Sequence, residues 1–128
     1  MTIERIPSAY PVPFSKAVRA GGFLFLSGVL PMDERGQVLA GDITAQTRAV
    51  LETIARNLAD CGASMADVVR ATIWLADLGD FAAFNQEYAR HFPDGLPARS
   101  CVQAVLYQGA KVEIEVQARQ LSPDNRER

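Results

Sequence analysis

Arg99 and Glu113 are the two side chains of this sequence best suited to do chemistry together. The segment Pro97-Ala98-Arg99-Ser100-Cys101-Val102 opens an apolar strand with a guanidinium, and Val112-Glu113-Ile114-Glu115-Val116 carries two carboxylates inside another. Alternate side chains of a strand share a face. Arg99, Cys101 and Gln103 therefore fall on one side of their strand and Val102, Ala104 and Leu106 on the other. Glu113 and Glu115 likewise lie opposite Val112, Ile114 and Val116. If the two strands pair through Tyr107-Gln108-Gly109-Ala110, a guanidinium and a carboxylate share one sheet face. Such a pair can bind an anionic substrate and handle a proton. It can equally be a structural ion pair, which by itself says little about stability.

Composition narrows the classes of function. The chain has 128 residues, enough for one domain over residues 1–128 with a real core and too few for a separate cofactor domain. A net charge of −2 and a pI near 5.3 give no basic footprint for nucleic acid, and the 13 Lys and Arg residues are scattered. No apolar run approaches the roughly 20 residues of a membrane-spanning helix, and Met1-Thr2-Ile3-Glu4-Arg5 lacks a signal-peptide pattern. These features predict a soluble, cytoplasmic protein with no membrane partner. Cys61, Cys101 and the single His91 match no zinc spacing, so no metal is expected. Both cysteines read as reduced, buried thiols. A Cys101 nucleophile with His91 as its base is the sharper alternative.

The elements that must position Arg99 and Glu113 follow from periodicity. Phe14 to Val18 and Gly22 to Val29 read as strands around the turn Ala20-Gly21-Gly22, with Pro31 ending the second. Asp33-Glu34-Arg35-Gly36 makes another turn, and Gln37-Val38-Leu39 a brief extended piece. Ile43 to Cys61 is a helix, capped by Asp42, stopped by Gly62 and striped by Thr47, Val50, Leu51, Ile54, Leu58 and Cys61. A second helix runs from the Asp80 cap to His91, with Phe81, Phe84, Tyr88 and Phe92 inward. Val68 to Leu75 between them is a β-branched central strand. The polar stretch 122–128 is expected to fray.

This order predicts an α+β fold, a mixed sheet with two helices on one face. Val69, Ala71, Ile73, Leu75, Val102, Ala104, Leu106, Val112, Ile114 and Val116 would meet the helices. The other face would carry Arg70, Thr72, Trp74, Arg99, Cys101, Gln103, Glu113 and Glu115. A tryptophan among charged side chains suggests a face half-buried by another subunit, with pockets between subunits. A monomer with a polar sheet face is the alternative.

These residues resemble the Rid (reactive intermediate deaminase) family, also called YjgF. Besides the Arg99 and Glu113 segments, the resemblance includes Phe25-Leu26-Ser27-Gly28-Val29-Leu30-Pro31 and Ala45-Gln46-Thr47-Arg48-Ala49-Val50-Leu51-Glu52. It continues through Ala76-Asp77-Leu78-Gly79-Asp80-Phe81 and Phe84-Asn85-Gln86-Glu87-Tyr88 and runs from about Ser8 to Arg119. It implies a chorismate-mutase-like fold, related to the ferredoxin-like one, in a homotrimer whose sheets enclose a central barrel. It also implies hydrolysis of 2-imino or 2-enamino acids to 2-oxo acids and ammonia at subunit interfaces, without metal or organic cofactor.

On this resemblance Arg99 binds the substrate carboxylate. The choice has a physical reason, because a guanidinium fork meets a planar carboxylate with two parallel charge-assisted hydrogen bonds. Glu113, rather than Glu115, would orient water and transfer the proton. The backbone carbonyl of Cys101 would contact the imine nitrogen or water, and Ser27 and Gly28 would form a pocket wall. Asn85 reads as a capping or packing contact, and Tyr88 and Phe92 as core. Two positions depart from the family pattern. Phe14 stands where many members carry a tyrosine, and Val29 where Gln or Thr is common, so both are expected to make the pocket more apolar. Gly41-Asp42-Ile43-Thr44-Ala45-Gln46-Thr47-Arg48 resembles the branch that handles 3-aminoacrylate, and aminomuconate deaminases also belong to the family. The alternative outside enzymes is a non-catalytic trimer that binds small carboxylates or acts as a holdase.

Overall fold

The computed structural model describes residues 2–120, so the expected fraying of 122–128 lies outside the described residues. Six strands and two α-helices follow in the order β1 (Glu4–Pro7), β2 (Ser15–Ala20), β3 (Phe23–Leu26), α1 (Ile43–Asp60), β4 (Val68–Leu75), α2 (Phe81–Arg90), β5 (Ala98–Gln103) and β6 (Val112–Arg119). The architecture is α+β, one mixed sheet of order β1-β2-β3-β6-β4-β5 with a helical layer. All pairings are antiparallel except β4 with β5. A parallel pair needs a crossover, and α2 supplies it.

α1 starts where Asp42 accepts a hydrogen bond from Ala45 N at 2.9 Å and stops before Gly62, which adopts φ 83°. Its buried stripe is Ile43, Gln46, Thr47, Val50, Leu51, Ile54 and Leu58. Gln46 is a polar member of that stripe with a structural task. Its Nε2 donates to Leu39 O and its Oε1 accepts from Lys111 N, both at 2.9 Å, tying the loop before α1 to the start of β6. The stripe packs with Leu24, Leu26, Ala71, Ile73, Leu75, Val112, Ile114 and Val116 of the sheet. Phe84, Tyr88 and Phe92 join from α2 and the residues after it, whereas Phe81 remains 41% exposed.

Several expectations are corrected. β5 and β6 are not neighbours; β4 lies between them, so the 107–110 connection carries the chain across a strand instead of closing a hairpin. β1 had no strong periodicity of its own and pairs with β2 as an edge strand. The piece at 37–39 is reduced to a single bridge, Met32 with Val38. Val69 points out and Val68 in, because a bulge between Val68 and Arg70 offsets the pairing with β6. Asp80 occupies the cap position of α2 without a side-chain cap bond; Asp77 instead caps the short 3-10 turn ahead of it, accepting from Gly79 N at 2.8 Å.

The two helices are joined by a buried carboxylate. Glu87 of α2, only 4% exposed, takes both arms of Arg48 of α1 at 3.2 and 3.1 Å and contacts His91 Nε2 at 2.8 Å. The Arg48 hydrogen bond is the main reason its carboxyl titrates below the usual range, against an opposing effect of burial and with further help from His91. A depressed carboxyl contributes stability above its unfolded pKa and loses it as pH falls through the folded one. Glu87→Gln is therefore expected to cost roughly 2 kcal/mol at neutral pH. The gap to wild type should close in urea titrations below about pH 4; a gap independent of pH would show that the ionic contact is not what joins the helices.

Candidate active site

The register of β4 decides where each site residue points. Ala71 pairs with Arg99 and Ile73 with Cys101 on the parallel side, while Trp74 pairs with Glu113 and Thr72 with Glu115 on the antiparallel side. Ala71 and Ile73 are fully buried beneath the helices. Arg99, Cys101 and Gln103 therefore lie on the helix face, and Glu113 and Glu115 on the open face. This overturns the expectation that Arg99 and Glu113 share a face. The alternation within each strand was read correctly, but the intervening β4 fixes their relative phase. Val102, expected in the core, is 49% exposed on the open face, and Ala104 and Leu106 fall beyond the strand.

On the helix face, β5 is the outermost strand, and among the described residues it is α2 that stands over Arg99. The guanidinium carbon lies 4.9 Å from the ring centre of Tyr88 and 5.5 Å from those of Phe81 and Phe84. Arg99 Nη2 donates to Asn85 Oδ1 at 2.5 Å. Among the described residues no carboxylate forms an ion pair with it. Phe81, Phe84, Asn85 and Tyr88 occupy one helical stripe, so a single face of α2 holds the cation. Reading Asn85 as a cap or packing contact missed this. The available signal was a polar residue set into an otherwise aromatic stripe.

Cys101 shares that face. Burial pushes its thiol pKa up, with Arg99 opposing, so the neutral thiol is favoured. His91 is turned to Glu87 and makes no hydrogen bond to Cys101, which leaves the nucleophile alternative without its base. The main chain of Cys101 is differently placed. Ala104 N donates to Leu75 O of β4 at 2.9 Å, and backbone groups alternate in direction along a strand. The N–H and C=O of Cys101 thus point away from β4, toward the free edge.

The second cluster lies on the open face. Backbone bonds between Val29 and Ile114, at 2.8 and 3.1 Å, hold the segment after β3 against β6. Gly28 consequently sits beside Glu113, and a Cβ there would run into Glu113 Oε2. Ser27 Oγ donates to Ser15 O at 2.6 Å, next to Phe14, which is 55% exposed. Glu113 has no described hydrogen-bond or ion-pair partner. Its carboxyl is pushed up, first by burial and then by the charge of Glu115. The Val29 side chain is buried in the core, so the change at that position alters packing and not a pocket wall. The chain therefore presents a fixed cation on one face of the sheet and, on the other, a carboxyl that holds its proton more firmly than usual.

Comparisons with known proteins agree with this architecture. The chain is 45% identical to a protein named 3-aminoacrylate deaminase RutC from Acinetobacter baylyi, over 80% of this chain and 82% of that one. It is 42% identical to the chloroplastic Reactive Intermediate Deaminase A of Arabidopsis thaliana, over 90% of this chain and 62% of that one. The crystal structure of TdcF from E. coli, determined with bound serine, superimposes with a TM-score of 0.80 at 34% identity, covering 91% and 94% of the two chains. The sequence model of the family described as Endoribonuclease L-PSP matches residues 4–120. The protein belongs to that family, the Rid or YjgF family.

Proposed function

We propose that this protein hydrolyses 2-imino acids, the tautomers of 2-enamino acids, to 2-oxo acids and ammonia, using a homotrimer with sites between subunits and no cofactor. The observation that carries this reading is the Arg99 guanidinium, fixed by Asn85 and three rings yet unpaired with any described carboxylate. It is suited to receive a substrate carboxylate through two parallel hydrogen bonds. The deaminase names of the relatives support the same class of reaction. The family description names an endoribonuclease, but a net charge of −2 argues against a nucleic-acid substrate.

The faces of the sheet bear on the assembly. Arg99 and Glu113 of one chain look in opposite directions, so a pocket containing both draws Arg99 from one subunit and Glu113, with Ser27, Gly28 and Phe14, from the next. The open face carries Trp74 and the half-exposed Phe23, Phe25 and Val102, an apolar surface suited to burial in a central barrel.

In such a pocket the chemistry balances with water alone. Glu113 takes a proton as water oxygen bonds to the imine carbon, forming a carbinolamine. It delivers that proton to the nitrogen and then relays the carbinolamine hydroxyl proton there as well; the C–N bond breaks as the C=O bond forms, and ammonia leaves behind a 2-oxo acid. In this reading the outward carbonyl of Cys101 accepts a hydrogen bond from water or the imine N–H. Arg99 holds the reacting carbon in position throughout. A second reading, hydrolysis of 3-aminoacrylate, is favoured by the relative of that name and uses the same clamp.

The test generates imines in situ from several amino acids with an amino-acid oxidase and follows 2-oxo acid release, with 3-aminoacrylate assayed in parallel. Arg99→Ala is expected to lower kcat/KM roughly a hundredfold or more, and Glu113→Gln to lower kcat by about 10²–10⁴-fold. Unchanged rates in Arg99→Ala would remove the carboxylate clamp. Glu115→Gln, by deleting a like charge, should move the acid limb of the kcat/KM profile to lower pH. An unmoved limb would mean that Glu113 does not set it. Gly28→Ala displaces the Glu113 carboxylate and should reduce kcat while leaving the melting temperature near wild type. Light scattering at micromolar concentration should give a trimer; a monomer would eliminate the shared site.

A further inference from the structure

We propose that Asn85 is a positioning residue whose neutrality matters: it orients the Arg99 guanidinium while leaving the positive charge uncompensated for an incoming carboxylate. This inference rests on the carboxylate-clamp reading. Its starting point is a contrast within the molecule. Arg19, Arg48 and Arg119 each meet a carboxylate, Glu4, Glu87 and Asp67 respectively, while Arg56 and Arg70, both exposed, meet the hydroxyls of Thr53 and Ser100. Arg99, partly buried against three rings, meets an amide oxygen. An aspartate would have the same shape and form a stronger, charge-assisted hydrogen bond. It would also cancel the charge.

The surroundings make that distinction consequential. The faces of Phe81, Phe84 and Tyr88 attract a cation and displace water from it, but they do not neutralise it. A guanidinium has five N–H donors, and the bond to Asn85 Oδ1 is the one described for its side chain. Nε and Nη1 therefore keep donors for a ligand, while Nη2 is pinned. Asn85 also fixes which way the fork turns. The Oδ1 contact and the flat rings together leave the guanidinium plane little freedom to rotate, so a ligand carboxylate meets a preorganised partner. Asn85 acts through Arg99 and is assigned no contact with the reacting atoms.

The experiment compares wild type, Asn85→Asp, Asn85→Ala and Arg99→Ala in the assembled protein. Binding of 2-oxobutyrate, a non-reacting monocarboxylate, is measured by calorimetry beside steady-state imine hydrolysis and thermal melting. Asn85→Asp should raise both Kd and KM at least about tenfold, because the clamp is already paired and a like charge now faces the ligand. Its kcat should change much less, and its melting temperature should hold or rise. Asn85→Ala, which frees the fork without neutralising it, should weaken binding by a smaller factor and serves as the independent variant if the aspartate protein does not fold. Wild-type affinity in both Asn85 variants, with binding lost in Arg99→Ala, would leave the clamp standing and overturn the role of Asn85. Wild-type affinity in Arg99→Ala would overturn the clamp and the Asn85 inference together. A fall in kcat at constant KM in the Asn85 variants would also overturn it.

Discussion

The arrangement of the whole molecule depends on the pairing of β4 with two different partners in two different directions. Its antiparallel bonds to β6 set Trp74 against Glu113, and its parallel bonds to β5 set Ala71 against Arg99. Because side chains alternate, these two registers assign the cation to the helix face and the carboxyl to the open face. The parallel pairing also obliges the chain to cross over between β4 and β5. α2 is that crossover, and so the same constraint that turns Arg99 toward the helices brings the aromatic stripe and Asn85 above it.

Partial burial of a guanidinium has an energetic cost that a carboxylate partner would ordinarily offset. Here the offset comes from three ring faces and one amide oxygen, which favour the cation without cancelling its field. Glu113 presents the complementary case. Gly28 leaves room for its carboxyl, but burial and the neighbouring Glu115 disfavour its charge, so the proton is held more firmly than in water. Two polar groups left without opposite charges are unfavourable for stability alone. The rigidity that keeps them there comes from elsewhere, chiefly the apolar layer between α1 and the sheet and the Glu87 contact between the helices.

Much of this was legible in the sequence where local rules dominate. Asp42 and Gly62 bracket α1 because caps act over a few residues, and Gly21 and Gly22 form their turn because their φ values of 59° and 83° suit glycine. The alternation of β6 reads directly as buried valines and isoleucine against half-buried glutamates. What could not be read was the phase between strands distant in sequence. Treating β5 and β6 as a hairpin followed chain proximity, whereas the inserted β4 reversed the face of Arg99. The Val68 bulge escaped notice for a similar reason, since one unpaired residue leaves no mark in a run of β-branched side chains. For the site, residue types were informative and partnerships were not. Asn85 and Arg99 are linked by packing between a helix and a strand, which one-dimensional spacing does not encode.

β5 combines two properties that usually conflict. As the outermost strand on its side it presents unpaired main-chain donors and acceptors, including those of Cys101, and such a rim is a template for unwanted strand addition between molecules. Pairing the rim with another strand would remove that hazard and occupy the very groups that face outward beside Arg99. Its safeguards must therefore be ones that discourage a seventh strand without covering the backbone. The proline just before the strand at Pro97 and the positive charge of Arg99 both serve that end. Selection on this rim is accordingly double-edged: substitutions that make it more strand-like increase the risk of aggregation, and those that seal it cover the outward main-chain groups of Cys101 beside Arg99.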